Sequence, residues 1–126
     1  DAGKTIPEYA PLMLKNMFGP DSMSSNTELV VQVISRMREE TFRAAIEAVT
    51  HYEGRDVLPK MNIPVLCVAG EHDLSAAPPA VMEKMASKIP SSEFVCIPGV
   101  GHFGWAEDPE VYNEHMLQFL TKNFSN

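Results

Sequence analysis

An acid and an imidazole follow two apolar segments of this chain, in two loops that also contain glycine. Asp73 ends the run Gly70-Glu-His-Asp, and His102 ends the run Gly99-Val-Gly-His. A histidine that acts as a general base needs an acceptor at its second ring nitrogen, because the acceptor fixes the tautomer and stabilises the imidazolium. We therefore predict that Asp73 and His102 form an acid–base pair if the fold brings their loops together.

Two predicted strands carry these loops. Residues 63–70 are apolar on both faces and bounded by proline and glycine, which is typical of a strand in the middle of a parallel sheet. A helix opens at Pro78-Pro79 and residues 93–97 form a second apolar strand, so the order is βαβ. Asp108 and Pro109 then begin a terminal helix. The predicted fold class is α/β, and sites in open α/β sheets lie at the C-terminal ends of the strands.

The first part of the chain shows helical periodicity alone. Thr5-x-x-Glu8 and Ser25-x-x-Glu28 have capping-box form, and a third amphipathic stripe includes Phe42. The pattern changes near Leu58, where strands begin to alternate with helices. We therefore predict two regions, a helical region over residues 1–60 and a βαβα region over residues 61–126.

Composition limits the kinds of partner. The 126 residues are 44% apolar and 21% charged, which is typical of one soluble globular unit. The net charge of -7 disfavours nucleic acid or anionic lipid as a partner, and no apolar run approaches the roughly 18 residues of a membrane span. Cys67 and Cys96 lie in apolar runs, so we expect two reduced, shielded thiols and a cytoplasmic location.

The predicted sheet is incomplete. Two parallel strands cannot pair both edges of a doubly buried strand, so we expect another polypeptide segment to supply the missing strands. By the same reasoning, we expect the chain expressed alone to aggregate or fold poorly.

The order of these motifs resembles the C-terminal part of an α/β-hydrolase. The matching pieces are Ile63-Pro-Val-Leu-Cys-Val-Ala-Gly-Glu-His-Asp73, Ile89-Pro90, Ile97-Pro-Gly-Val-Gly-His102, Glu107-Asp-Pro109 and Phe119-Leu120. The triad of that family runs Ser, then Asp or Glu, then His along the chain. The resemblance implies that Asp73 is the acid and His102 the base, with no metal or organic cofactor. Residues 1–60 resemble the latter part of the family's helical cap, and the 3-oxoadipate enol-lactonase group of esterases and lactonases is the most similar.

Two features depart from the family's pattern. The loop after Asp73 is one residue longer than usual, and no Gly-x-Ser-x-Gly occurs among the 126 residues. We therefore expect the nucleophile and the oxyanion hole outside this chain, in the N-terminal part of the same hydrolase. The leading hypothesis is serine-type hydrolysis of a small ester or lactone. An aspartate nucleophile, giving a dehalogenase or epoxide hydrolase, and a non-catalytic ligand-binding receptor on the same fold are the alternatives.

Four apolar residues are candidates for substrate contact. Phe103 and Trp105 directly follow His102 and are candidates for a wall of the acyl pocket, with aromatic core packing as the alternative. Met13 and Met17 lie in the first helical stripe, where core packing is the more common role of methionine and pocket lining is the alternative.

Other interpretations of the polar residues are weaker. His72, Asp73 and His102 lack the HxxH or HExxH spacing of metal sites, so no metal is predicted. His51 and His115 fall on predicted helices beside charged neighbours and receive no role. The structural alternative for the pair is that Asp73 caps a helix and His102 is a buried turn histidine.

Overall fold

The computed structural model describes residue 3, residues 5–22 and residues 24–124. In chain order the elements are α1 (Ile6–Lys15), α2 (Ser25–Ser35), α3 (Glu39–His51), a short 3-10 helix (Leu58–Lys60), β1 (Val65–Gly70), α4 (Pro79–Ala86), β2 (Ser92–Ile97), α5 (Gly104–Glu107) and α6 (Pro109–Phe124). The predicted order, helices first and then a βαβ unit with a terminal helix, is confirmed.

The two strands form a parallel sheet. The register runs from Val65 opposite Ser92 to Gly70 opposite Ile97, so both strands end at the same edge. Among the described residues β1 pairs with β2 alone, and its other edge has no strand beside it. Three of the six β1 residues are buried and three are half-buried. The strand is where it was predicted, but in this chain it is less covered than its sequence implies.

Helices cover both faces of the sheet. On one face α4 packs against β1 and β2, and the buried residues of this cluster are Cys67, Ala86 and Ile89. Phe94 of β2 packs against the same cluster. Because successive side chains of a strand point to opposite faces, Glu93 faces the other side. There its carboxylate pairs with Lys122 Nζ at 3.1 Å, which places α6 on the second face.

The first two helices begin with reciprocal caps. The Thr5 N–H donates to the Glu8 carboxylate at 2.8 Å, as the sequence predicts. In α2 the capping residue is Ser24 and not Ser25, since the Ser24 N–H donates to Thr27 Oγ1 at 2.9 Å and the Thr27 N–H donates back to Ser24 Oγ. The predicted start of α2 is therefore wrong by one residue. The capping box predicts that the Glu28 carboxylate accepts from the backbone N–H of the capping residue. Here the hydroxyl of Thr27, a residue that is 1% exposed, accepts that hydrogen bond instead.

The helices of the first 60 residues differ in how far they are buried. α1 packs against α2 and buries Ala10 and Leu14, whereas α3 buries none of its residues. The division of the chain near residue 60 stays a prediction. No helix in the described ranges combines the length and the hydropathy that a bilayer crossing requires.

The two thiols lie in different environments. Cys67 is buried, and burial raises its pKa, but Cys96 is exposed. The prediction that both thiols are shielded is therefore wrong for Cys96. Cys96 is one residue from the end of β2, and in the described part of the chain no further strand lies beside the outer edge of β2. An apolar sequence alone therefore does not bury this thiol.

Candidate active site

The loops that follow β1 and β2 are joined by backbone hydrogen bonds. The Glu71 N–H donates to the Ile97 carbonyl at 2.9 Å, and the His72 N–H donates to the Val100 carbonyl at 2.8 Å. The pairing of the parallel strands thus continues beyond their ends. As a result, Asp73 and His102 are held side by side at the C-terminal edge of the sheet.

Asp73 and His102 form a direct hydrogen bond. His102 Nδ1 lies 2.6 Å from Asp73 Oδ2, a short distance for a nitrogen–oxygen pair and typical of a charge-assisted bond. The acid is 2% exposed and the side chain of the histidine 34% exposed. Since a carboxylate only accepts, Nδ1 carries the proton and Nε2 of the neutral ring carries the lone pair. Among the described residues Nε2 has no hydrogen-bond partner, so it is available as a base.

The long loop after Asp73 folds around the carboxylate. The Ala76 N–H donates to Oδ1 and the Ala77 N–H to Oδ2, both at 3.0 Å, and Ser75 adds a longer contact of 3.4 Å. Burial raises the pKa of the Asp73 carboxyl, but the hydrogen bonds from His102, Ala77 and Ala76 outweigh burial, and the pKa is lowered. Asp73 therefore stays ionised opposite the imidazole. The carboxylate accepts hydrogen bonds from the local turn and from His102 at the same time, so a capping role for Asp73 does not exclude its pairing with His102.

The backbone around His102 is fixed by Met17, which is distant in sequence, and by the nearby Glu107. The His102 N–H donates to the Met17 carbonyl at 2.6 Å. On either side, the N–H groups of Gly101 and Phe103 donate to the Glu107 carboxylate at 3.0 and 3.1 Å. The sequence identified Glu107 as part of a family motif, but gave it no role at the site.

The two glycines before His102 are required for different structural reasons. Gly99 has a φ of +75°, a left-handed conformation that glycine adopts without strain. Gly101 has no positive φ, but a Cβ there would lie 2.2 Å from the Met17 carbonyl oxygen. Gly101 therefore permits the close approach of two backbone segments.

Aromatic rings line one side of the pair. The Phe103 ring lies 5.1 Å from the His102 ring, 5.3 Å from that of Phe18 and 6.2 Å from that of Trp105, centroid to centroid. Phe103 and Trp105 also border an apolar groove of about 430 Å³ against Leu29 and Val33 of α2. These two candidates for substrate contact thus lie beside the pair.

The two methionine candidates are placed differently. Met13 and Met17 are half-buried, and neither borders this groove among the described residues. Met17 reaches the site through its main-chain carbonyl, which accepts from the His102 N–H. Their contact with substrate stays a prediction.

Known proteins are similar to this chain in sequence and in structure. No protein-family model matches the chain. An uncharacterised hydrolase of Bacillus subtilis, YugF, is 31% identical over 85 residues, which cover 65% of this chain and 31% of the relative. A thermophilic esterase from Thermogutta terrifontis, solved with malate bound, superposes with a TM-score of 0.85 at 28% identity and covers 98% of this chain. The enol-lactonase of Burkholderia xenovorans LB400 superposes with a TM-score of 0.81 at 24% identity and covers 94% of this chain.

The chain forms the C-terminal part of an α/β-hydrolase fold. It spans 46% of each of these two solved α/β-hydrolases and about a third of the curated relative, 31%. In an α/β-hydrolase the acid and the histidine of the triad follow late strands of the sheet. Asp73 and His102 occupy such positions here, and their catalytic roles remain predictions.

Proposed function

We propose that this chain supplies the acid and the general base of a serine-type α/β-hydrolase that cleaves carboxylic esters or lactones. The observation that carries the proposal is the 2.6 Å hydrogen bond from His102 Nδ1 to Asp73, at the ends of two adjacent parallel strands. The part of the fold outside these residues would supply the nucleophilic serine and the oxyanion hole.

In the first half-reaction His102 acts as a base and then as an acid. Nε2 takes the proton of the serine hydroxyl while the serine oxygen attacks the carbonyl carbon of the substrate. The tetrahedral intermediate collapses when the C–O bond to the leaving group breaks, and the imidazolium returns its proton to the departing oxygen. An acyl-enzyme remains, and for a lactone the leaving hydroxyl stays tethered to the acyl group.

In the second half-reaction His102 deprotonates a water molecule, which attacks the acyl-enzyme. The imidazolium forms again and donates its proton to the serine oxygen as that oxygen leaves. The ionised, 2% exposed Asp73 stabilises the imidazolium in both steps. Its lowered pKa supports this role, since a protonated Asp73 would offer no negative charge.

The surroundings of His102 favour an apolar substrate. The groove bordered by Leu29, Val33, Phe103 and Trp105 offers mainly apolar contacts beside the base. The Thermogutta terrifontis protein, 28% identical to this chain, is an esterase, which supports ester cleavage. We therefore propose a small substrate with an apolar acyl or alcohol part.

An activated serine can be detected with a fluorophosphonate probe, which phosphonylates serine nucleophiles. The complete protein, meaning this chain with the rest of the fold, should label rapidly, and His102→Ala should slow labelling by at least about a thousandfold because the serine is no longer deprotonated. The matched control is His51→Ala, since His51 is exposed on α3 and, among the described residues, hydrogen-bonds to the Glu47 carbonyl one turn earlier. Absence of labelling in the active wild-type protein would rule out the serine nucleophile and favour an aspartate.

A further inference from the structure

Glu107 collects hydrogen bonds from two separate segments of the chain. Its carboxylate accepts from the N–H groups of Gly101 and Phe103, which flank His102. It also accepts from the Gly19 N–H at 2.7 Å and from the Ser22 hydroxyl, which lie 88 and 85 residues earlier in the chain. One carboxylate therefore joins the linker between α1 and α2 to the loop that carries His102.

The four donors fill the capacity of the carboxylate. Two carboxylate oxygens offer about four acceptor positions, and here three backbone N–H groups and one hydroxyl occupy them. No ion pair of Glu107 with Lys, Arg or His occurs in the part of the chain that the structure describes. The negative charge is thus held by neutral dipoles, an arrangement that strengthens each hydrogen bond relative to a neutral acceptor.

These bonds act on the backbone of the proposed base. With the His102 N–H donating to Met17, three consecutive N–H groups, from residue 101 to residue 103, are fixed by Glu107 or by the linker after α1. Fixing the backbone on both sides of His102 limits the positions from which its ring can reach Asp73 and a substrate.

We infer that Glu107 is a positioning residue for His102, acting through the backbone of residues 101 and 103. The inference rests on the proposed function, because it assigns Glu107 a part in holding the proposed base. A general base misplaced by about 1 Å loses on the order of a hundredfold in rate, so disturbing this network should lower turnover more than substrate affinity.

The test is Glu107→Gln in the complete protein. Glutamine has nearly the same shape but only one acceptor oxygen, and its NH₂ group would face donors. We expect kcat on a short-chain chromogenic ester to fall by about 10- to 100-fold with KM changed less than about threefold. The matched control is Glu110→Gln, because Glu110 is exposed in the first turn of α6 and should leave kcat unchanged.

A spectroscopic measurement separates positioning from loss of folding and from failure of the proposed function. The proton on His102 Nδ1, in its short bond to Asp73, should give a downfield NMR resonance that His102→Ala removes. Glu107→Gln should shift or broaden this resonance, and Ser22→Ala, which removes one donor, should act in the same direction more weakly. If His102→Ala keeps full activity, the proposed function fails while the resonance still tests Glu107. If Glu107→Gln folds and both its resonance and its kcat are unchanged, the inference is overturned. If Glu107→Gln does not fold, an unchanged resonance and kcat in Ser22→Ala overturn it.

Discussion

Asp73 combines burial with a negative charge. A carboxylate that is 2% exposed would ordinarily become neutral, since burial disfavours the charged form. Here the hydrogen bonds from His102, Ala76 and Ala77 reverse that effect and lower the pKa. The residue pair could be predicted from sequence because two strand ends of a parallel sheet meet at one edge. The amide donors of the loop could not, because they depend on how residues 75–77 fold.

Asp73 should contribute to the acid sensitivity of the protein. Its pKa is lower in the folded than in the unfolded state, where it is about 3.9. Its contribution to the free energy of unfolding is therefore fully present above about pH 5 and is lost as the pH falls through the folded pKa. Asp73→Asn in the complete protein should lack this component, so its urea midpoint should fall less between about pH 5 and about pH 2.

A second aspartate provides the control for this measurement. Asp56 is exposed and pairs with Lys60 at 3.4 Å on the surface, so Asp56→Asn should keep the wild-type dependence on pH. If the urea midpoints of wild type and Asp73→Asn depend equally on pH, the pKa of the Asp73 carboxyl is not lower in the folded than in the unfolded state.

At the level of elements, continuous apolar runs were read correctly and short or distant features were not. β1 and β2 were predicted from continuous apolar runs, and α4 from the helix start at Pro78-Pro79 between them. The four-residue α5 was missed, because a single turn of helix has no periodicity to detect. The role of Glu107 was missed as well, since its partners Gly19 and Ser22 lie 88 and 85 residues away.

Gly101 is where the linker after α1 touches the His102 loop. In Gly101→Ala the new Cβ would lie 2.2 Å from the Met17 carbonyl oxygen, a backbone atom that cannot move alone. We expect the free energy of unfolding to fall by about 1–3 kcal/mol, the usual result of overpacking, and turnover to fall because the Met17–His102 hydrogen bond is disturbed. Urea unfolding and ester hydrolysis in the complete protein measure both effects.

Gly54→Ala is the control for the added methyl group. The three atoms nearest to a Cβ at Gly54 all belong to the Tyr52 side chain, and this residue is 78% exposed and free to turn away. If Gly101→Ala is as stable and as active as Gly54→Ala, the two backbone segments do not approach each other as closely as described.

At the scale of the whole molecule, the sheet and the helices leave apolar surfaces and a strand edge exposed that another polypeptide segment would have to bury. The free edge of β1 carries unpaired backbone groups in the described part of the chain. Large apolar side chains are also exposed on the first helices and beyond, among them Leu29, Val33, Ile46, Val49, Leu74 and Val81. An exposed strand edge together with apolar patches favours association with another chain.

We therefore expect the 126 residues expressed alone to self-associate and to bind the dye ANS. Joining them to a polypeptide that carries the remaining strands of an α/β-hydrolase should suppress both effects, because the β1 edge would then be paired. Size-exclusion chromatography at several concentrations and thermal melting measure the difference. If the isolated chain is monomeric and melts cooperatively, it does not require another polypeptide segment to bury these surfaces.

The catalytic pairing of Asp73 and His102 is tested most directly by a double-mutant cycle on kcat in the complete protein. Ester hydrolysis is measured for wild type, His102→Ala, Asp73→Asn and the double variant, with folding checked by circular dichroism. Members of a triad act as one unit, so each single variant should lose on the order of 10⁴-fold or more in kcat, and the double variant should be little worse than His102→Ala. Near-full turnover of folded His102→Ala, or two losses that multiply independently, would contradict the pairing and favour a binding role for the fold.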